Sequence, residues 1–220
     1  LCIESIPSGS TIDQLTEKSF DECDVFSLHS ISHIGCCLDL ISRLREDPFL
    51  LEKGIHLLEK VLEVAPDLVE TRYQLACSWT DLGYAQGSAR AFRRAHEHFV
   101  ELLKNHPEND LFHFDYALSL IGFAQEMSLS HIADLCGETE HHLQAAARLG
   151  NQEAYYYLGC LFAFLGQQDR ALFALETASH AKALPPVEEI LEEEWLVSLQ
   201  GMPLFIQWLR KVSPRESGSR

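Results

Sequence analysis

The side chains best placed to do chemistry lie near the start of the chain. His29, His33, Cys36 and Cys37 stand four, seven and eight residues apart from the first. On a helix that spacing brings two imidazoles and a thiolate to one face, a donor set that suits zinc. No second cluster of matching type lies nearby in sequence, and a cysteine inside an apolar helical pattern acts as a small hydrophobe. A metal-binding protein or metal-dependent enzyme using His29, His33 and Cys36 is therefore the alternative reading from another class. His96 with His98 and His141 with His142 form two further pairs, but neither has the spacing that sets two imidazoles beside a general base. They are expected on the surface of their helices. No glycine-rich phosphate loop, serine elbow or cysteine–histidine nucleophile pattern occurs, and pairs such as Glu188 and Glu189 fit a solvated helix face. The expectation is a protein without catalytic residues, metal or cofactor.

Composition narrows the partners. The 220 residues carry 33 acidic and 17 basic side chains, a formal net charge of -16. Such a chain repels a phosphate backbone and an anionic lipid surface, so neither nucleic acid nor membrane is an expected partner. With 46% hydrophobic residues the chain can bury a substantial core. The stretch 111–124 is apolar but interrupted by His113 and Asp115 and too short to span a bilayer, and no transmembrane helix is expected. Seven cysteines, at 2, 23, 36, 37, 77, 136 and 160, show no C-x-x-C spacing. An odd number in apolar helical patterns points to a reducing, cytoplasmic compartment.

The elements that must position any site are helices. Residues 1–27 read as a partly ordered arm with a capping-box pattern at Thr11 and Gln14. Helices follow over 28–44, with Ile31, Ile34, Leu38, Ile41 and Leu44 as the apolar stripe, and over 49–64, with Leu50, Ile55, Leu58, Val61 and Leu62 inward. Further helices are expected over 67–83, 88–105, 111–124, 130–149 and, as one hairpin turned at Gly166, 152–178. The segment 187–200 reads as one helix with Ile190, Leu191, Trp195 and Leu196 packing inward, and 202–212 as another. Residues 213–220 read as a disordered tail.

The hairpin of 152–178 is the most specific part of the pattern. Tyr155, Leu158, Gly159, Phe162, Ala171, Leu175 and Ala178 fill the places of a repeating motif, with Gly159 and Ala171 small enough for two helix backbones to approach closely. This order of aromatic, Leu-Gly, aromatic and alanines resembles the tetratricopeptide repeat. Leu75, Ala76, Trp79 and Gly83 reproduce part of it 83 residues earlier, and Tyr116-Ala117 lies 41 residues after Leu75-Ala76. A period of that size exceeds the roughly 34 residues of the ordinary unit by about two helical turns. Hairpins lengthened near 84–94 and 128–137 are expected; HEAT-type units share the longer period. The resemblance implies an all-α fold, a right-handed array of about four antiparallel helical hairpins over 28–212 closed by a C-terminal capping helix pair.

In tetratricopeptide arrays the first helix of each hairpin lines a concave surface that holds a protein segment. Carried over by position, that surface would comprise Glu70, Tyr73, Cys77, Thr80 and Asp81, then Leu111, Phe114, Leu118 and Ile121, then Glu153, Tyr156, Cys160, Ala163 and Phe164. The lysine, asparagine and arginine with which some relatives clamp a carboxylate are missing from these positions. The resemblance therefore implies a non-catalytic interaction scaffold, an adaptor, assembly factor or chaperone, that takes a peptide or helix with apolar anchors. The small acidic chaperones of type III secretion are similar in size and charge, although their repeats are of ordinary length.

Overall fold

The computed structural model of the chain describes residues 13–14, 16–17, 19–20, 23–45, 47–126 and 132–213. The Thr11 end of the capping-box pattern, the tip at 128–131 and most of the tail fall outside them. The described residues form helices α1 (Val25–Arg45), α2 (Pro48–Val64), α3 (Val69–Gln86), α4 (Ala89–Asn105), α5 (Asp110–Glu126), α6 (Ile132–Leu149), α7 (Ala154–Phe164) and α8 (Gln168–His180). After them come α9 (Val187–Glu192), a 3-10 helix (Glu194–Leu199) and α10 (Pro203–Val212), and no strand occurs among the described residues. The all-α fold of paired helices is thus as the sequence implies. Contacts group the chain into two compact units, residues 1–107 with 119–131 and residues 108–118 with 132–220.

In the first unit, local chemistry fixes where helices begin and end. The Asp47 carboxylate accepts the Phe49 N–H and Pro48 takes the first helical position of α2, where a missing N–H costs nothing. Between α3 and α4 the chain turns in two residues. Gly87 is left-handed at φ 58° and the Ser88 hydroxyl accepts the Ala91 N–H at 3.3 Å. The lengthening therefore lies in the helices themselves, 17 and 18 residues here against 11 and 13 in α7 and α8.

Packing in this unit depends on close approach. A Cβ on Gly54 of α2 would lie 2.8 Å from the Gly35 carbonyl oxygen of α1, and one on Gly35 would lie 2.9 Å from Leu58 Cγ. Gly54→Ala is expected to destabilise the chain. Forcing two backbones apart costs about 1–3 kcal/mol, and the alanine's better helix propensity returns only about 1 kcal/mol. Gly137→Ala is the control, since nothing lies within 4 Å of its Cβ position and α6 should gain about 0.4–1 kcal/mol. Denaturant midpoints of the two variants should move in opposite directions.

A buried polar seam joins α1, α3 and the second half of α5. Ser32 Oγ lies 3.0 Å from Thr71 Oγ1, Ser78 Oγ donates to Asp39 Oδ2 at 3.2 Å, and Thr80 Oγ1 donates to Ser119 Oγ at 2.9 Å. Each pair is separated by 39 residues. Paired in this way, the hydroxyls occupy a helix–helix interface without the cost of an unpaired buried group, while Asp39 Oδ1 is buried without a hydrogen-bond partner among the described residues and lies 3.4 Å from Arg43 Nε. By length and composition α1, at 21 residues, is the one helix among those described that could cross a membrane, whereas the apolar stretch singled out in the sequence was 111–124. Its inner side carries this polar seam. Leu44, expected in the stripe, is 76% exposed, because Gly35, Asp39 and Ser42 take the buried side instead.

In the second unit, the hairpin of α7 and α8 follows the sequence pattern. Leu158 and Phe162 are buried, and Ala171, Leu175 and Ala178 are fully so. The chain turns at Gly166 with φ 71°. A Cβ on Gly159 would meet Leu175 Cγ at 2.7 Å, so this glycine sets the helix spacing. The segment expected as one helix over 187–200 breaks at Glu193, whose carboxylate accepts the Trp195 N–H at 3.1 Å and starts the 3-10 turn. Ile190 and Leu196 are buried as expected, but Leu191 is 49% exposed.

Candidate protein-binding face

The helix α3 presents Glu70, Tyr73, Cys77 and Asp81 at spacings of three, four and four residues, which places them along one side. Leu75, Ala76, Leu82 and Gly83 occupy the buried side and hold that orientation. Glu70 sits in the first turn, where a carboxylate favours the positive end of the helix, and accepts from Gln74 Nε2 at 3.0 Å. Tyr73, Cys77 and Asp81 are half-buried. Arg43 of α1 reaches over this side, its Nε 3.4 Å from Asp39 Oδ1 and 3.8 Å from Asp81 Oδ2. Thr80, expected on the same side, instead belongs to the polar seam and is buried. Ile121 on the second half of α5 is half-buried.

The positions expected from the later helices stand differently. Phe114 is buried with its ring edge-on to Tyr157 at 5.5 Å, while Leu111 is exposed and Leu118 half-buried. On α7, Tyr156, Cys160 and Ala163 are buried. The 3-10 helix lies across them, and Ser198 Oγ donates to the Ala163 carbonyl at 2.8 Å. Phe164 is partly exposed but stacks on Trp195 with centroids 4.8 Å apart. Burial pushes the Tyr156 hydroxyl and the Cys160 thiol well above their ordinary ranges, with Cys160 and Glu193 adding to the respective shifts. Glu153 is exposed. The chain's own C-terminal segment thus packs on this side of α7; Trp195 and Leu196, expected to pack inward, signal it, and Leu199 is buried with them.

The histidines and cysteines do not converge. His29 and His33 are exposed, and His29 Nδ1 lies 2.8 Å from its own helix's Val25 carbonyl. Cys36 is half-buried and its thiol is pushed up to about 11 by burial, then by Asp39, so it is protonated at neutral pH and poor as a ligand. Among the described residues, no three histidine, cysteine or acidic side chains group as a metal site would require. The expectation of surface histidines holds for His141 only. Burial, then Arg72 and Arg94, brings His98 down to about 4. Burial, then His113 and His141, brings His142 down to about 4. His96 is half-buried, edge-on to Phe123 at 5.3 Å.

Sequence reasoning missed His113, which is buried with its Nδ1 2.8 Å from Nδ1 of His142. Beside it, Tyr116 donates to Glu138 Oε1 at 2.7 Å and packs against the His142 ring. Nothing in the spacing of residues 29 apart marks this pair.

These helices define the chain as a helical repeat protein. No protein-family model matches it, and no curated protein does. Among solved structures the chain is similar to MamA from AMB-1, a tetratricopeptide-like helical protein, in a P212121 crystal form. The TM-score is 0.51 at 16% identity, over 83% of this chain and 88% of that one. The likeness is one of fold.

Proposed function

We propose that the protein is a non-catalytic interaction scaffold whose α3 face holds a peptide or helical segment of a protein partner. The observation that carries this reading is the line of Glu70, Tyr73, Cys77 and Asp81, an aromatic and a thiol bracketed by two carboxylates on a helix whose other side is locked into the core. An apolar anchor would pack on Tyr73 and Cys77, and basic flanks would meet Glu70 and Asp81. The helical-repeat fold supports a protein partner, since such folds offer extended surfaces more readily than closed pockets. Buried, free Cys136 and Cys160 suit a reducing, cytoplasmic setting. The partner class is a protein segment; nucleic acid is disfavoured by the net charge of -16.

Selection of binders from a random peptide display library tests this. The expected enrichment is of peptides with one or two large apolar residues flanked by lysine or arginine. Tyr73→Ala combined with Glu70→Arg should weaken the selected peptides by about 2–3 kcal/mol, a hundredfold or thereabouts, with the circular dichroism of the wild type. Peptides that bind this variant unchanged would remove α3 as the site.

A further inference from the structure

The outer side of α1 carries a second surface. Phe26, Ser30, His33, Cys37, Leu40 and Leu44 are all exposed, with Phe26 at 82%, Leu40 at 54% and Leu44 at 76%. Their spacing alternates four and three residues along the whole helix. That is the seam by which one helix lies along another at a shallow angle. The opposite side of α1 packs on α2 and α3, and the described arm residues Asp13 and Thr16 bond to Lys53 and Lys60 of α2 instead.

We propose that this stripe pairs with the same stripe of a second copy of the chain, antiparallel about a twofold axis. The spacing is self-complementary. Reversed on itself, Phe26 meets Leu44, Ser30 meets Leu40 and His33 meets Cys37, each pair equidistant from the level of Gly35, as an isologous interface requires. The apolar pairs close the two ends and the polar ones meet in the middle. Charge selects the same orientation. Exposed Asp24 precedes the helix, and Arg43 and Arg45 stand in its last turn. Arg43 is held by Asp39 and Asp81 of its own copy; antiparallel pairing sets exposed Arg45 of each copy beside Asp24 of the other and opposes the helix dipoles, whereas a parallel pair would set like against like. The polar centre of the stripe and the net charge of -16 argue against a lipid surface as the occupant.

Sedimentation equilibrium tests the proposal. One helix per copy makes a small interface, so association is expected at micromolar to tens of micromolar concentration, with a mass approaching twice 24.9 kDa. Leu40→Glu with Leu44→Glu should weaken self-association about tenfold or more while leaving helicity unchanged, both side chains being exposed. Orientation is read by oxidation and peptide mapping. The cysteine introduced by His33→Cys should cross-link to Cys37 of the other copy. The wild type should not cross-link through Cys37, because its two copies are offset by about 6 Å along the axis, in addition to the separation across the seam, whereas positions 33 and 37 lie level. A monomer at all concentrations overturns the proposal, as does a Cys37–Cys37 bridge in the wild type. A monomer that sediments with neutral phosphatidylcholine vesicles would give this face to a membrane instead. None of these outcomes bears on peptide binding at α3.

Discussion

Tyr156→Ala is expected to lower the stability of the chain by about 3–5 kcal/mol, the range for removing a buried aromatic ring. The tetratricopeptide pattern places Tyr156 toward a ligand, but its side chain is 6% exposed and belongs to the core cluster that includes Leu196 and Leu199 of the 3-10 helix. Alanine there leaves a cavity between α7 and the C-terminal segment. It also deprives Tyr157, whose ring is edge-on at 5.3 Å, of a neighbour. Chemical denaturation followed by circular dichroism would show the loss, and tryptophan fluorescence would report the release of Trp195. Tyr73→Ala, at a half-buried ring on α3, should cost clearly less, about 1–2 kcal/mol. If Tyr156→Ala instead left stability within about 1 kcal/mol of the wild type, the cavity term would be missing. The ring would then have to be accessible in solution.

That contrast shows what the sequence could carry. Apolar period and small residues are local signals, and they located the α7–α8 hairpin down to Gly159 and the turn at Gly166. The helix starts at Pro48 and Ser88 were equally local, whereas the helix expected to end at Gly83 runs on to Gln86 and stops at Gly87. The misses share a different cause. Ser32, Asp39 and Thr80 are buried because their hydrogen-bond partners arrive from helices 39 residues away, and no window of sequence reveals a satisfied polar contact at that distance. Hydrophobicity alone places Leu44 inward, and that seam is why it faces out. The acidic run at 192–194 reads as a solvated helix face, yet the Glu193 carboxylate caps a new turn and re-aims Trp195 onto Phe164. The fold was therefore readable from the sequence, whereas which side of α7 stays open depended on where a C-terminal segment comes to rest.

The second large effect is a loss of stability on acidification through the histidine range. His98 in the first unit and His142 in the second are each held near 4, while in the unfolded chain an imidazole titrates near 6.5. Above about 6.5 both forms are neutral and contribute no pH dependence. Between about 6.5 and 4 the unfolded chain binds protons that the folded one refuses, so stability falls as pH falls across that window and levels off below it. The cause differs between the sites. His98 Nε2 is buried with no hydrogen-bond partner among the described residues, and Arg72 and Arg94 oppose a positive charge there. His142 faces His113 at 2.8 Å and His141, so its protonation sets like charges together. With partial exposure screening each site, the loss should be about 1–2 kcal/mol per imidazole. Urea denaturation at pH 7.5 and 4.5 would measure it in a range where most carboxylates stay charged. His98→Gln and His142→Gln should each flatten part of the difference, and in the double variant most of it should vanish. An unchanged slope in the double variant would assign the acid sensitivity to groups other than these two imidazoles.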